Sequence, residues 1–203
     1  MKAVFIDKDG TLIPDIPYNV EPERITLYAG TGLALQRLQE AGYALIVISN
    51  QSGIALGYFP ELSLEGVRNR LTTLLEPYGV RLTGFYYCPH HPAGTVLNYA
   101  ITCNCRKPAP GLLQQAARDH GIDLLNSWMI GDILNDAEAG NRAGCRTILL
   151  DNGHETEWLS GPYRQPTQTV RDWDDIPNLI LGQASDKQPP NAEQALYETN
   201  QSS

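Results

Sequence analysis

No apolar run in this chain of 203 residues approaches the roughly 20 needed to span a bilayer, which argues against an integral membrane protein. The N-terminal Met1-Lys2-Ala3-Val4-Phe5-Ile6-Asp7 meets an acid after four apolar residues, too few for a signal peptide. Basic charge is short as well, since 15 Lys and Arg face 23 Asp and Glu for a net charge of −8. That balance disfavours a nucleic-acid binder and a surface resting on anionic lipid, while leaving room for a local basic pocket that takes an anion. Four cysteines are too few for a disulfide scaffold, and three of them cluster with a histidine, which points to metal in a reducing compartment. No internal repeat and no linker divides the chain. With 42% hydrophobic residues it can build one sizeable core, so the expectation is a cytoplasmic single-domain protein, monomeric, with neither nucleic acid nor membrane as partner.

What is present is an alternation of strand and helix patterns. Lys2–Ile6 is a short β-prone run that stops at the turn signal Asp7-Lys8-Asp9-Gly10. Residues 31–41 carry apolar side chains at helical spacing before Gly42, and Tyr43–Ile48 is a continuous apolar run suited to a strand buried on both faces. An amphipathic stretch over 61–78 leads to a third strand, Gly84–Tyr87, and then to a loop from Cys88 to Pro108. A helix over 110–121, a strand at Ser127–Ile130, a helix over 134–143 and a strand at Arg146–Leu150 complete the pattern. This order predicts an α/β fold with a doubly wound, Rossmann-like parallel sheet. The domain is expected to occupy residues 1–182, and the polar stretch 183–203 reads as a disordered tail.

Asp7/Asp9, Ser49/Asn50 and Asp132 each fall just after a predicted strand, at the sheet edge where such folds bind ligands. Two carboxylates in Asp7-x-Asp9-Gly10-Thr11 suit a hard cation together with covalent chemistry, one attacking and the other moving a proton. Ser49 offers a hydroxyl, and the Asn50–Gly53 backbone offers N–H donors for phosphate oxygens. Lys107 can neutralise a phosphoryl group, and Arg106 can grip a second portion of the substrate. Gly131-Asp132-x-x-x-Asp136 adds a third strand-end acid and another one turn into a helix. Taken singly, each has a plain alternative: a solvated Asp-Gly turn, a polar strand end, a surface lysine, a helix cap.

In this order and spacing, the four segments resemble the haloacid dehalogenase-like phosphatases from Lys2 to about Leu150. The resemblance implies that Asp7 is the nucleophile, that Asp9 is the general acid and then base, and that Ser49 and Lys107 hold the phosphoryl group. It also implies Mg²⁺ on Asp7, the Asp9 carbonyl and Asp132, with Asp136 in support. Screening by Mg²⁺ and Lys107 is what would let a phosphate dianion approach a carboxylate.

Cys88-Pro89-His90 and Cys103-Asn104-Cys105 form a Cys₃His set suited to tetrahedral structural Zn²⁺. His91 is the weaker candidate, because Cys-x-His lets both ligands turn inward. Cys145, beside an apolar strand, reads as a core thiol. His120 and His154 have no visible partners and default to structural or surface roles. A zinc loop of this kind resembles the capless branch that holds the histidinol-phosphate and heptose-bisphosphate phosphatases. Twelve residues separate His90 from Cys103, and that longer loop resembles the heptose 1,7-bisphosphate 7-phosphatases. The resemblance implies a small phosphorylated sugar as substrate, contacted by Asp15 to Tyr18, by Ser49, Asn50, Gln51 and Ser52, and by Arg106. Lys8 stands where that family usually has Arg, Leu56 where Arg is common and Ile133 where Lys is frequent, which bears on the exact substrate. The competing expectations are a histidinol-phosphate or other small phosphomonoester phosphatase and a non-catalytic binding module.

Overall fold

The computed structural model describes residues 1–182. The 183–203 tail lies outside the described residues. Six parallel strands make one sheet: β1 (Ala3–Ile6), β2 (Ala44–Asn50), β3 (Gly84–Cys88), β4 (Trp128–Gly131), β5 (Arg146–Leu150) and β6 (Gln168–Val170). Their order across the sheet is β3-β2-β1-β4-β5-β6, so the chain winds first to one side of β1 and then to the other. The direction reverses at β1, and the crevice that opens at such a switch lies beyond the C-terminal strand ends.

Alternation along β1 divides the core into two layers. Val4 and Ile6 face α1 (Thr31–Glu40), α2 (Ser63–Leu75) and α5 (Ile176–Leu181), where Leu35, Leu38, Val67, Leu71 and Ile176 are buried. Ala3 and Phe5 face the opposite way, toward Leu112, Leu113 and Ala116 of α3 (Gly111–His120) and Ala139 of α4 (Leu134–Ala143). With helices on both faces, the central strands carry no polar side chain until their last residues. β2 shows this directly: Leu45 to Ile48 are fully buried, and Ser49 and Asn50 follow at the site.

Three elements differ from the sequence reading. The 61–78 stretch is helical only over Ser63–Leu75 and then tightens into a 3₁₀ turn at Glu76–Tyr78. Pro77 supplies no N–H to continue an α-helix, and Gly79 ends the turn with φ +65°. β5 is not the last strand, because β6 pairs beside it and α5 follows. β6 is only three residues long with one buried side chain, too short to show a period. No helix among the described residues is long and apolar enough to cross a membrane.

Candidate active site and metal centre

The turn after β1 begins where the Asp7 N–H bonds to the Ile130 carbonyl at 2.9 Å, continuing the β1–β4 ladder by one residue. It then closes on itself: the N–H groups of Leu12 and Ile13 both donate to the Lys8 carbonyl at 3.0 Å. Gly10 sits in the left-handed region at φ +84°, and a Cβ there would lie 2.0 Å from Asp132 Oδ2. Only glycine therefore lets the first loop approach the β4 loop this closely. At the end of β4, Gly131 is similarly constrained, since a Cβ there would fall 2.1 Å from Asp136 Cβ.

Asp7, Lys107 and the Asp132/Asp136 pair come from three separate stretches of chain, and all four residues are buried. Lys107 Nζ is in direct contact with Asp7 Oδ1, lies 2.7 Å from Asp136 Oδ1 and donates to the Ile48 carbonyl at 3.1 Å. Asp136, in the first turn of α4, also accepts the Ile133 N–H at 3.3 Å, so it caps its own helix while pairing the lysine. Thr11 Oγ1 donates to Asp132 Oδ1 at 3.0 Å. Asn50 grips the Lys107 backbone from both sides, donating to its carbonyl at 3.1 Å and accepting its N–H at 3.0 Å.

Burial raises these carboxylates. The Asp7 carboxyl is pushed up to about 7, chiefly by burial, with Lys107 opposing and Asp136 and Asp9 adding to the rise. Asp132 is pushed up to about 6 by burial and by the Asp7 charge, partly offset by hydrogen bonds from His154 and Thr11. Asp136 moves the same way, from burial, with Lys107 opposing. Burial works against the Lys107 charge, but Asp136 and Asp7 outweigh it and hold the ammonium well above its ordinary range.

Three buried carboxylates beside one ammonium leave an excess of negative charge. One oxygen of each of Asp7, Asp132 and Asp136 lies within 4.8 Å of the others. Hard oxygen donors at that separation fit a hard divalent cation such as Mg²⁺.

Asp9 faces outward from the same turn. Lys8 Nζ lies 2.5 Å from its Oδ1, and Gln51 Nε2 donates to its Oδ2 at 3.1 Å and to Ser49 Oγ at 2.7 Å. An open cleft of about 280 Å³ adjoins it, lined by Asp9, Asp15, Tyr18, Asn50, Gln51 and Ser52 among others. Of the predicted substrate-facing residues, Asp15, Tyr18, Asn50, Gln51 and Ser52 line this cleft, while Ser49 is buried behind Gln51, Lys107 is buried against Asp7, and Arg106 lies elsewhere. That residue lines a second cleft of about 430 Å³ with His91, Ile101, Glu138 and Arg142, and Lys107 borders it too. Its Nη1 is buried without a hydrogen-bond partner.

The Cys88–Pro108 loop brings Cys88, His90, Cys103 and Cys105 together. Cys105 Sγ lies 3.1 Å from Cys88 Sγ, 3.2 Å from Cys103 Sγ and 3.2 Å from His90 Nδ1. A zinc tetrahedron with bonds of about 2.3 Å has donor separations of about 3.8 Å, so this Cys₃His set needs only slight expansion to take Zn²⁺. His91 turns away and accepts the Ala93 N–H at 3.2 Å. Cys145 stands apart, its thiol pushed up to about 12 by burial.

The sequence reading missed the loop after β5. His154 Nδ1 lies 2.7 Å from Asp132 Oδ2, and Asn152 Nδ2 donates to the Gly10 carbonyl at 2.6 Å. The available signal was position alone: polar residues directly after a strand, on the edge that carries the other loops.

A parallel sheet that gathers carboxylates, a hydroxyl and a lysine at the C-terminal edge of its switch strand is the architecture of the haloacid dehalogenase-like hydrolases. The HAD-hydrolase-like family model matches residues 104–176. The D-glycero-β-D-manno-heptose-1,7-bisphosphate 7-phosphatase of Haemophilus ducreyi is 45% identical over 150 residues, 73% of this chain and 82% of that protein. The enzyme of the same name from Pasteurella multocida is 39% identical over 182 residues, 89% of this chain and 97% of its own. Among solved structures, the D,D-heptose 1,7-bisphosphate phosphatase of B. bronchiseptica, complexed with magnesium and phosphate, superposes with a TM-score of 0.77. It is 29% identical, and the match covers 91% of this chain and all of that one. The chain belongs to the family of haloacid dehalogenase-like phosphatases that includes these heptose-bisphosphate enzymes.

Proposed function

We propose that this chain is a phosphomonoesterase that removes the 7-phosphate of D-glycero-β-D-manno-heptose 1,7-bisphosphate through an aspartyl-phosphate on Asp7. The observation that carries this reading is the meeting of Asp7 Oδ1 with Lys107 Nζ at the base of the crevice, with Asp132 and Asp136 beside them. A buried carboxylate held against an ammonium is a poor general surface feature and a good acceptor for a phosphoryl group.

In the first step an Asp7 oxygen attacks phosphorus and the bond to the sugar oxygen breaks, with Asp9 giving that oxygen its proton. In the second, Asp9 takes a proton from water, the water oxygen attacks phosphorus, and Asp7 and inorganic phosphate are released. Ser49 and Lys107 hold the transferring phosphoryl oxygens through both steps. Asp7, the Asp9 carbonyl and Asp132, with Asp136 in support, would hold Mg²⁺, whose charge screens the phosphate dianion from the carboxylates. Cys88, His90, Cys103 and Cys105 would hold a structural Zn²⁺ that fixes the loop carrying Arg106 and Lys107.

Asp15, Tyr18 and Asn50 to Ser52 would receive the sugar from the first cleft, and Arg106 the far phosphate. The test is phosphate release from heptose 1,7-bisphosphate, histidinol phosphate and simple sugar phosphates, with wild type and Arg106→Ala. The bisphosphate should be the best substrate. Losing one charge-assisted contact in Arg106→Ala should weaken the bisphosphate roughly ten- to hundredfold while sparing monophosphates. A wild type that prefers histidinol phosphate would replace this substrate with that one.

A further inference from the structure

The loop that follows β5 touches the site at three points. Asn152 ties it to the Asp7–Thr11 turn through the Gly10 carbonyl, and Glu155 ties it to the start of α4 by accepting the Leu134 N–H at 2.7 Å. The second Glu155 oxygen accepts the N–H groups of Glu157 and Trp158, which closes the loop on itself. Between these anchors His154 reaches Asp132 Oδ2 at 2.7 Å, while Thr11 holds Asp132 Oδ1 at 3.0 Å. Space for the imidazole exists because residue 10 is glycine: a Cβ there would lie 2.5 Å from His154 Nδ1.

We infer that His154 is a positioning residue for the cation site, fixing the rotation of the Asp132 carboxylate through an Nδ1–H···Oδ2 hydrogen bond. The inference rests on the proposed function, in which Asp132 holds Mg²⁺. A carboxylate that must present one lone pair to a cation has a free torsion, and each outer hydrogen bond removes part of that freedom. Thr11 alone fixes one oxygen and leaves the plane able to swing. Thr11 and His154 together fix both oxygens, and each oxygen keeps a further lone pair for the cation. The acceptor is a carboxylate, so the ring proton sits on Nδ1 and Nε2 is left toward solvent, on a side chain 34% exposed. His154 touches Asp132 and not the reacting phosphoryl group, which separates its effect from chemistry.

The experiment uses zinc-loaded, full-length protein and Mn²⁺ as the probe, followed by its free-ion EPR signal without substrate. His154→Ala should raise the Mn²⁺ dissociation constant roughly 10–100-fold, with kcat at saturating Mg²⁺ and the melting temperature close to wild type. His154→Asn places an amide N–H where Nδ1 stood and should recover most of the affinity. Ring ¹⁵N spectra of the wild type should show the proton on Nδ1. Wild-type affinity in His154→Ala, alongside lost affinity in Asp132→Asn, overturns the role of His154 and leaves the metal site standing. Equal losses in His154→Ala and His154→Asn also overturn it, because the hydrogen bond would then not be what matters. Wild-type affinity in Asp132→Asn removes the metal reading and this inference with it.

Discussion

The strand-end site and the Cys/His loop are both polar clusters on the same sheet edge, yet they are held by opposite means. Asp7 and Asp132 directly follow strands, and Ser49 stands near the end of one; the apolar residues of these strands are buried in the two core layers, so burying the core fixes the site. Residues 89–110 contain no helix or strand, and Cys103 and Cys105 are only partly buried. Among the points that fix that loop are the four soft ligands, Asn50 on the Lys107 backbone, the Ala55 carbonyl that accepts the Thr95 and Val96 N–H groups, and two phenols, Tyr87 and Tyr99, that donate to the Glu61 carboxylate at 2.8 Å and 2.5 Å. Lys107 belongs to both regions: it stands two residues after Cys105 and ends against Asp7. A rigid sheet therefore positions three of the groups, and a cross-linked loop delivers the fourth.

The largest effect expected from breaking the first region alone is that of Asp7→Asn, which should abolish turnover and keep both fold and zinc. The amide is nearly isosteric but a poor nucleophile and a poor Mg²⁺ ligand. Asp9→Asn should retain more, falling by roughly 10²–10⁴-fold through lost proton transfer. Phosphate release and metal content measured on the same samples check both. Turnover at the wild-type rate in Asp7→Asn would refute the covalent route.

Breaking the second region should act on the first only through Lys107. Cys103→Ala is expected to lose its zinc and to lower activity by roughly 10²-fold, the scale of a displacement of about 1 Å in a positioned group. Circular dichroism should stay near wild type, and amide exchange should rise over residues 88–108 while the sheet stays protected. Protein purified without chelator and found free of zinc would overturn the cross-link.

The acid-rich region also has a pH signature of its own. Asp7 at about 7, Asp132 at about 6 and a raised Asp136 bind protons more tightly in the metal-free fold than in the unfolded chain, where the ordinary value is 3.8. Their stabilising contribution is therefore complete below about pH 4 and is lost as pH rises through about 6 to 7. Lys107, raised above an ordinary value of 10.5, stays charged throughout and does not alter the sign. Mg²⁺ competes with those protons, so the gap in melting temperature between Mg²⁺-saturated and Mg²⁺-free protein should widen from about pH 5 to about pH 7.5. A gap that narrows over that range would contradict the assignment of these carboxylates to the cation.

The contrast also explains what the sequence could convey. Parallel strands buried on both faces announce themselves as apolar runs, so Tyr43–Ile48 and Arg146–Leu150 located β2 and β5, and the polar residues after the strands located the site. The Cys₃His set was legible because few residue types bind soft metal. β6 was not, being three residues long, and neither was the packing of Trp173, whose Nε1 donates to the Thr11 carbonyl at 2.9 Å. His154 lay beyond reach for a different reason. Its partner Asp132 is 22 residues away, and only the adjacency of β4 and β5 and the glycine at position 10 bring the two together. The sequence reads Arg106 as gripping a second portion of the substrate, and its side chain lines the second cleft, which Lys107 also borders on its way to Asp7.

The smallest effect should come from loosening the loop without touching its metal ligands. Tyr99 lies on the loop and donates to Glu61 Oε2, while Tyr87 donates to Oε1 from the end of β3. The Tyr87 phenol is pushed up to about 12, first by burial and then by the Glu61 carboxylate, so it remains a donor at any physiological pH. Tyr99→Phe removes one donor and leaves the carboxylate its other partner, so the loss should be local and small. Zinc content should not change if the Cys₃His set is the main fixture. Activity should then fall by less than about tenfold, short of the loss in Cys103→Ala, because Lys107 keeps its place. Amide exchange should rise only around residues 96–101. Zinc loss in Tyr99→Phe equal to that in Cys103→Ala would mean that the phenol pair holds the loop and the metal merely occupies it, which would reverse the order of the two fixtures.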